Sequence, residues 1–222
     1  MIEIKEILNK ILNLIYPNVC GICGEICVAN ICEACQKQIE KNIVCKNEKN
    51  NNKNIFFEEH MYLFNYENDI REKIIQYKFK EKPYMYKAFA EIFTKNEKIC
   101  DFLKSYDIIM PVPIHRKRNN ERGYNQSGLI AKEISKQVKE ISFENNILYK
   151  NKNTNPQSSL NKAQRIENAK NVYEIRNAQI IKNKKIIVFD DIYTTGSTVK
   201  ECAKILKEAG ALRVGILTIA KD

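Results

Sequence analysis

Two aspartates, four serine or threonine hydroxyls and one glycine fall within Asp190-Asp191-Ile192-Tyr193-Thr194-Thr195-Gly196-Ser197-Thr198. Gly196 lets the main chain come close to a phosphate, and the hydroxyls of Thr194, Thr195, Ser197 and Thr198 add donors around the same centre. Two carboxylates set against that cradle would repel a phosphate directly. They suit the hydroxyls of a sugar diol, or Mg2+ held through its waters. Phosphate, diol and metal together describe a ribose 5-phosphate. A strand that ends in a helix cap also collects Asp and Thr, but a cap needs one such residue. The chain has neither G-x-x-x-x-G-K-[ST] nor G-x-G-x-x-G, which removes two other nucleotide loops.

A second constellation lies near the N-terminus. Cys20-x2-Cys23 and Cys32-x2-Cys35 are two C-x-x-C pairs with a short spacer between them. Each pair can give two thiolates to one tetrahedral ion, and four thiolates favour structural Zn2+; Gly21 and Gly24 allow the tight turns. Cys27 and Cys45 remain open, either as replacements for one of the four or as free thiols. Redox C-x-x-C chemistry would need only one pair and a thioredoxin-like context, which the pattern lacks. Cys100 and Cys202 fall in helical segments and are expected as buried thiols.

The elements that must position these residues can be read from periodicity. Lys184 to Phe189 is a β-branched and aromatic run, as expected of a central parallel strand, and the acidic pair stands at its carboxyl end, where open α/β sheets bind ligands beside a helix N-terminus. Strands are expected at 107–112, 146–149, 172–175, 186–190 and 213–219, and helices near 125–139 and 197–209. Upstream, 55–66 reads as a strand, and 69–80 and 84–93 as helices. The alternation implies a mainly parallel sheet covered on both faces. Residues 2–15 carry an apolar helical face. Residues 46–54 carry no apolar side chain and read as a linker. The expected division is an N-terminal helix and zinc-binding module over 1–45, a linker over 46–54, and an α/β domain over 55–222.

The chain has 222 residues, room for one domain and a small module. With 37 basic and 27 acidic residues its net charge is +10, which suits a polyanionic partner, although solvated surface lysine explains the same number. No run of apolar residues is long enough to span a bilayer, and Glu3, Lys5, Glu6 and Lys10 interrupt any signal-peptide core. A cytoplasmic location is expected, where cysteines serve as metal ligands or thiols rather than disulfides.

The run Val188 to Thr198 resembles the phosphoribosyl pyrophosphate motif of type I phosphoribosyltransferases. Pro111-Val112-Pro113-Ile114-His115, Glu121-Arg122-Gly123-Tyr124-Asn125-Gln126, Pro156-Gln157-Ser158-Ser159-Leu160 and Arg165 to Asn171 follow in the order seen in the ComF (competence protein F) family, and with the cysteine module the resemblance covers nearly the whole chain. It implies the type I phosphoribosyltransferase fold behind a zinc module. By the same resemblance, Asp190 and Asp191 would meet the ribose hydroxyls, Thr194 to Thr198 the 5-phosphate, and Pro113 to Arg116, with His115, the pyrophosphate. Arg122 and Gln126 would lie near the ligand, although Arg-Gly-Tyr-Asn-Gln equally describes a helix start with Asn125 as cap. Residues 150–171 stand where this fold has its mobile catalytic loop, with Lys162, Arg165 and Lys170 able to close over the diphosphate. Two functions follow. One is a competence factor that binds phosphoribosyl pyrophosphate and single-stranded DNA, with a DNA-uptake helicase as a possible partner. The other is an active transferase using Mg2+ and an unidentified amine or nucleobase. Tyr77 to Lys80 and Tyr84 to Lys87 could stack bases, though tyrosine at helical spacing is more often core.

Overall fold

The computed structural model describes residues 17–52, 54–79, 82–152 and 171–222. The expected helix over 2–15 and the segment bearing Lys162, Arg165 and Lys170 lie outside these residues. The cysteine-bearing turns lead into α1 (Glu33–Glu40), followed by β1 (Lys46–Lys49), β2 (Glu59–Asn65), α2 (Asn68–Phe79), α3 (Met85–Thr94), α4 (Glu97–Lys104) and β3 (Ile108–Pro111). Then come α5 (Arg116–Arg122), α6 (Gln126–Gln137), β4 (Ser142–Phe143), β5 (Leu148–Lys150), β6 (Tyr173–Ile175), β7 (Lys185–Tyr193), α7 (Ser197–Glu208) and β8 (Arg213–Lys221).

The main sheet has the order β1-β2-β8-β7-β3-β4. Every pairing is parallel except β1 on β2. Ile186 to Phe189 of β7 is fully buried between β8 and β3, as its apolar run requires. Period-2 alternation divides the strands between two cores. Ile187, Phe189, Leu217 and Ile219 pack with α3, α4 and α6, whereas Ile186, Val188, Val214 and Ile216 pack with α7 and the β5–β6 ribbon. The chain leaves β3 through α6 towards β4 and leaves β7 through α7 towards β8, so the order reverses between β3 and β7. That reversal opens a crevice at the strands' carboxyl ends.

Two expectations need correction. Residues 46–49, read as linker, form β1, pairing Lys46 with Tyr62 and Lys49 with Glu59. An edge strand exposed on both faces needs no apolar residue, and its lysines discourage further pairing. The strands near 146–149 and 172–175 do not join the parallel sheet. As β5 and β6 they pair antiparallel, with Lys150 opposite Tyr173, and close the intervening segment at its base. The short α4, α5 and β4 were not foreseen. Asn96 accepts a bond from Ile99 N at 3.2 Å to cap α4, and His115 accepts one from Lys117 N at 3.2 Å to cap α5.

The cysteine segment shares the domain's core. Cys20, Ile22, Ile31, Cys35 and Ile39 are buried in one cluster with Met85, Ala88 and Phe89 of α3. Gly21 is needed for close approach rather than for its turn: a Cβ there would sit 2.6 Å from Ala88 Cβ. Gly24, at φ +86°, does require glycine's freedom.

Candidate functional site

Asp190 and Asp191 occupy the carboxyl end of β7, just past the last residue that pairs with β3. Alternation turns them towards different surroundings. Asp190 shares its parity with Ile186 and Val188, and its charge acts on Lys150 and Tyr173 of the ribbon and on Cys202 of α7. Asp191 shares the parity of Phe189 and meets α2, where Lys78 Nζ lies 2.7 Å from its Oδ2. Each carboxylate also binds the next main-chain N–H, Asp191 N at 2.9 Å and Ile192 N at 2.8 Å. Burial, reinforced by the charge of Asp191, pushes the Asp190 carboxyl up to about 8, against the pull of Lys78.

The loop beyond is preorganised by its own hydroxyls. Thr195 Oγ1 donates to Ser197 Oγ at 3.0 Å and accepts from Ser197 N at 3.3 Å, and Lys200 Nζ donates to Thr195 O at 3.1 Å. Gly196 adopts φ +68° ahead of the first turn of α7, and Thr198 is buried in that turn. Tyr193 folds back over the glycine and stacks on His60 with ring centroids 4.3 Å apart. His60 is held in turn by Thr218 Oγ1 at 2.8 Å, and burial pulls its pKa down to about 4. A Cβ at position 196 would run into the Tyr193 ring. Gly196→Ala is therefore expected to cost about 1–2 kcal/mol from the left-handed backbone alone. That lowers Tm by roughly 4 °C, and the displaced loop should lose sugar-phosphate affinity by more than about tenfold. A thermal melt with and without ribose 5-phosphate checks both.

The other expected ligand residues gather at the β3 side of the crevice. Pro113 and His115 lead from β3 into α5, which presents Arg116, Lys117, Arg118 and Arg122 with no buried residue. Arg122 lies within electrostatic reach of Asp191 and its NH1 lies 3.3 Å from Gln126 Oε1. Gln126 is buried and works as a latch: its main-chain oxygen accepts from Tyr77 OH at 2.7 Å and its Nε2 donates to Lys78 O at 3.4 Å. Asn125 caps α6 through Gly128 N and donates to Val112 O at 2.9 Å. Tyr77 is fully buried and is core, not a base-stacking surface. Arg165 lies outside the described residues.

Cys20, Cys23, Cys32 and Cys35 bring their sulfurs within 4.8 Å of one another, and Cys23 Sγ lies 3.9 Å from Cys32 Sγ. Tetrahedral Zn–S bonds of about 2.3 Å would set the sulfurs about 3.8 Å apart, so the donor set fits the ion. The main-chain N–H groups of Ile22 and Cys32 point at Cys20 Sγ, at 3.5 and 3.3 Å, as at a bound thiolate. Burial raises the Cys20 thiol, but N–H groups of Cys23, Cys32 and Ile22 outweigh it and bring it down to about 6. Cys27 donates instead to Ala29 O and Cys45 to Asn96 Oδ1, so neither belongs to the cluster. Cys202 is fully buried, whereas Cys100 is half-buried and donates to Thr94 O.

A family model described as "Phosphoribosyl transferase domain" matches residues 125–222, which span α6, β7, α7 and β8. The chain is 27% identical over 152 residues to Competence protein F of Haemophilus influenzae, an alignment covering 67% of this chain and 66% of that one. It is 24% identical over 220 residues to Competence protein ComFC of Bacillus subtilis, covering 95% and 81%. It is 29% identical over 115 residues to the DNA utilization protein YhgH of Escherichia coli O157:H7, covering 52% and 49%. The alignment with ComFC runs through the four-cysteine cluster as well as the transferase domain. The chain is similar to the competence proteins F and ComFC and carries a phosphoribosyltransferase-type region. The phosphoribosyltransferase match begins at the α6 cap, so α5, the cysteine cluster and α2 all lie upstream of it.

Sequence reasoning missed Lys78 as a site residue, and with it Lys150 and Lys200. Lys150 sits at the end of β5, its Nζ 5.8 Å from the Tyr173 ring centre; burial and Arg118 lower its pKa, while Asp190 acts in the opposite sense. In a lysine-rich chain nothing marks these three, because each is selected by where its helix or strand ends in space.

Proposed function

We propose that this protein binds phosphoribosyl pyrophosphate in the β3/β7 crevice and single-stranded DNA on the adjoining basic surface, and serves the uptake of transforming DNA. The observation that carries the ligand half is the meeting, at the sheet's reversal point, of the Thr194–Thr198 loop with the Asp190/Asp191 pair. Ribose hydroxyls would donate to Asp190, the 5-phosphate would take the loop hydroxyls and N–H groups, and the diphosphate would face Arg116 and the other α5 cations. Mg2+ fits as a counter-ion to that diphosphate. The DNA half is supported by the relatives named for competence and DNA utilization and by the exposed charge of α5. A cytoplasmic location and a DNA-uptake helicase as partner accompany this reading through the family resemblance. The alternative is an active phosphoribosyltransferase acting on an amine or nucleobase. It is favoured by the β5–β6 ribbon, which carries Lys150 within electrostatic reach of Asp190.

Calorimetric titration of the zinc-replete protein with phosphoribosyl pyrophosphate and Mg2+ tests the site. The D190N/D191N double variant is expected to bind at least about tenfold more weakly, since the acceptor facing the ribose hydroxyls is altered and the Lys78 pairing that positions the site is lost. Equal binding by variant and wild type would sink the assignment. Fluorescent single-stranded DNA, titrated at several salt concentrations, should show affinity falling steeply with salt. Pyrophosphate release on addition of an acceptor, absent from the double variant, would instead establish the transferase.

A further inference from the structure

Among the described residues, the cation paired with the acidic pair comes from outside the matched phosphoribosyltransferase region. Lys78 stands in the last turn of α2, and its ammonium lies 2.7 Å from Asp191 Oδ2. The two side chains are 24% and 12% exposed, so this pair is far less screened than a surface one. Its geometry is built in. Tyr77 OH donates to Gln126 O at 2.7 Å, and Gln126 Nε2 donates back to Lys78 O at 3.4 Å, so the end of α2 is latched to the start of α6 beside β7. Asp191 Oδ1 is taken by Ile192 N at 2.8 Å, and the ammonium occupies Oδ2.

Two adjacent carboxylates would ordinarily attract a divalent ion as readily as a diol, since both offer only acceptor oxygens. A fixed ammonium at 2.7 Å cancels much of that field and fills the coordination place on Asp191. Hydroxyl groups are less affected, because they need acceptor lone pairs rather than net charge, and the Asp190 side still supplies them.

We propose that Lys78 is a resident counter-ion of the acidic pair, a positioning residue that excludes a divalent ion from Asp191 and reserves the pair for the hydroxyls of a sugar. The sugar part of this inference rests on the ribose-phosphate reading above; the counter-ion part does not. Any Mg2+ that accompanies a diphosphate ligand would then be held by the ligand and not by Asp191.

Mn2+ titration of the full-length, zinc-replete protein, followed by the electron paramagnetic resonance of the free ion with no sugar phosphate present, tests the counter-ion directly. Wild type and K78R should show no Mn2+ site that D191N removes. K78M should gain Mn2+ affinity by about tenfold or more, as expected when a unit charge is withdrawn at close range, and K78M/D191N should lose the gain. Folded K78M with no gain overturns the proposal. So does a wild-type Mn2+ site abolished by D191N, a measurement that stands even if K78M does not fold. Ribose 5-phosphate titrated with and without Mg2+ separates the two readings. Wild-type binding indifferent to Mg2+ supports the reservation for hydroxyls, and binding that requires Mg2+ overturns it. If ribose 5-phosphate fails to bind while the Mn2+ pattern holds, the ribose-phosphate reading falls and the counter-ion stands.

Discussion

Stripping zinc with a strong chelator, or replacing Cys20 with serine, is expected to lower Tm by about 10 °C or more. Structural zinc contributes folding free energy directly, because its ligands are organised only in the folded state. Here that energy is not confined to a separate module. Ile22, Ile31 and Ile39 are buried against α3 in the main core, and each such side chain is worth roughly 1.5–3 kcal/mol. Their loss sums to about 5 kcal/mol, and 1 kcal/mol moves Tm by about 2–4 °C in a chain of this size. Asn30 Nδ2 to Glu91 Oε2, at 2.8 Å, and Gln38 Nε2 to Asp69 Oδ2, at 2.9 Å, tie the same segment to α3 and α2. Since α2 carries Lys78 to Asp191, ligand affinity should fall along with stability. Differential scanning fluorimetry beside a colorimetric zinc-release assay decides the matter. Release of zinc with an unchanged melt would show that the cluster is not part of the cooperative unit.

Asp190→Asn should act in opposite directions on stability and on binding. The carboxyl, held up at about 8, has an ordinary value near 3.8. Between those values the folded protein holds a proton that the unfolded chain has released, so folding takes one up. Stability from this group is therefore undiminished below about pH 4, falls as pH rises, and is fully lost above about pH 8. A pKa unit is worth about 1.4 kcal/mol, which puts the full loss at no more than about 6 kcal/mol. The neutral amide removes that slope. Asp190→Asn should be the more stable protein at pH 8, and little different from wild type at pH 4. Denaturant titrations at pH 5, 6, 7 and 8 read the slope directly, and parallel wild-type and variant curves would contradict the assignment. Above about pH 8, where the carboxyl is ionised, the same variant should bind phosphoribosyl pyrophosphate about tenfold to a hundredfold more weakly, because a hydrogen bond to a charged acceptor is worth about 1.5–3 kcal/mol.

Much of this chemistry was legible before any coordinate. The C-x-x-C spacing of Cys20, Cys23, Cys32 and Cys35 specified the metal cluster, because four thiolates at two tight turns have few other uses. The run Ile186 to Phe189 specified a central strand, and the nine residues after Phe189 placed two carboxylates and a glycine-centred hydroxyl loop at its end, because composition and order within one short segment carry both signals. The main helices were also readable from their spacing. The edge strand at Lys46–Lys49 was not, since a strand whose hydrogen bonds run to one neighbour and whose side chains all face water leaves no apolar signature. Nor was the antiparallel ribbon of β5 and β6, since two short strands can join any sheet until their partners are known.

What only the tertiary structure decided is who the acidic pair's neighbours are. Alternation along β7 sends Asp190 towards Lys150 and the ribbon and Asp191 towards Lys78, but which side chains wait on each face depends on a helix more than a hundred residues upstream in one case and a strand about forty upstream in the other. Tyr77, Gln126 and His60 likewise have their roles set by partners distant in the chain. A local motif states its own chemistry because its atoms are held together by the backbone. The charges that tune it are brought there by packing, and packing is written in the buried faces of every element at once.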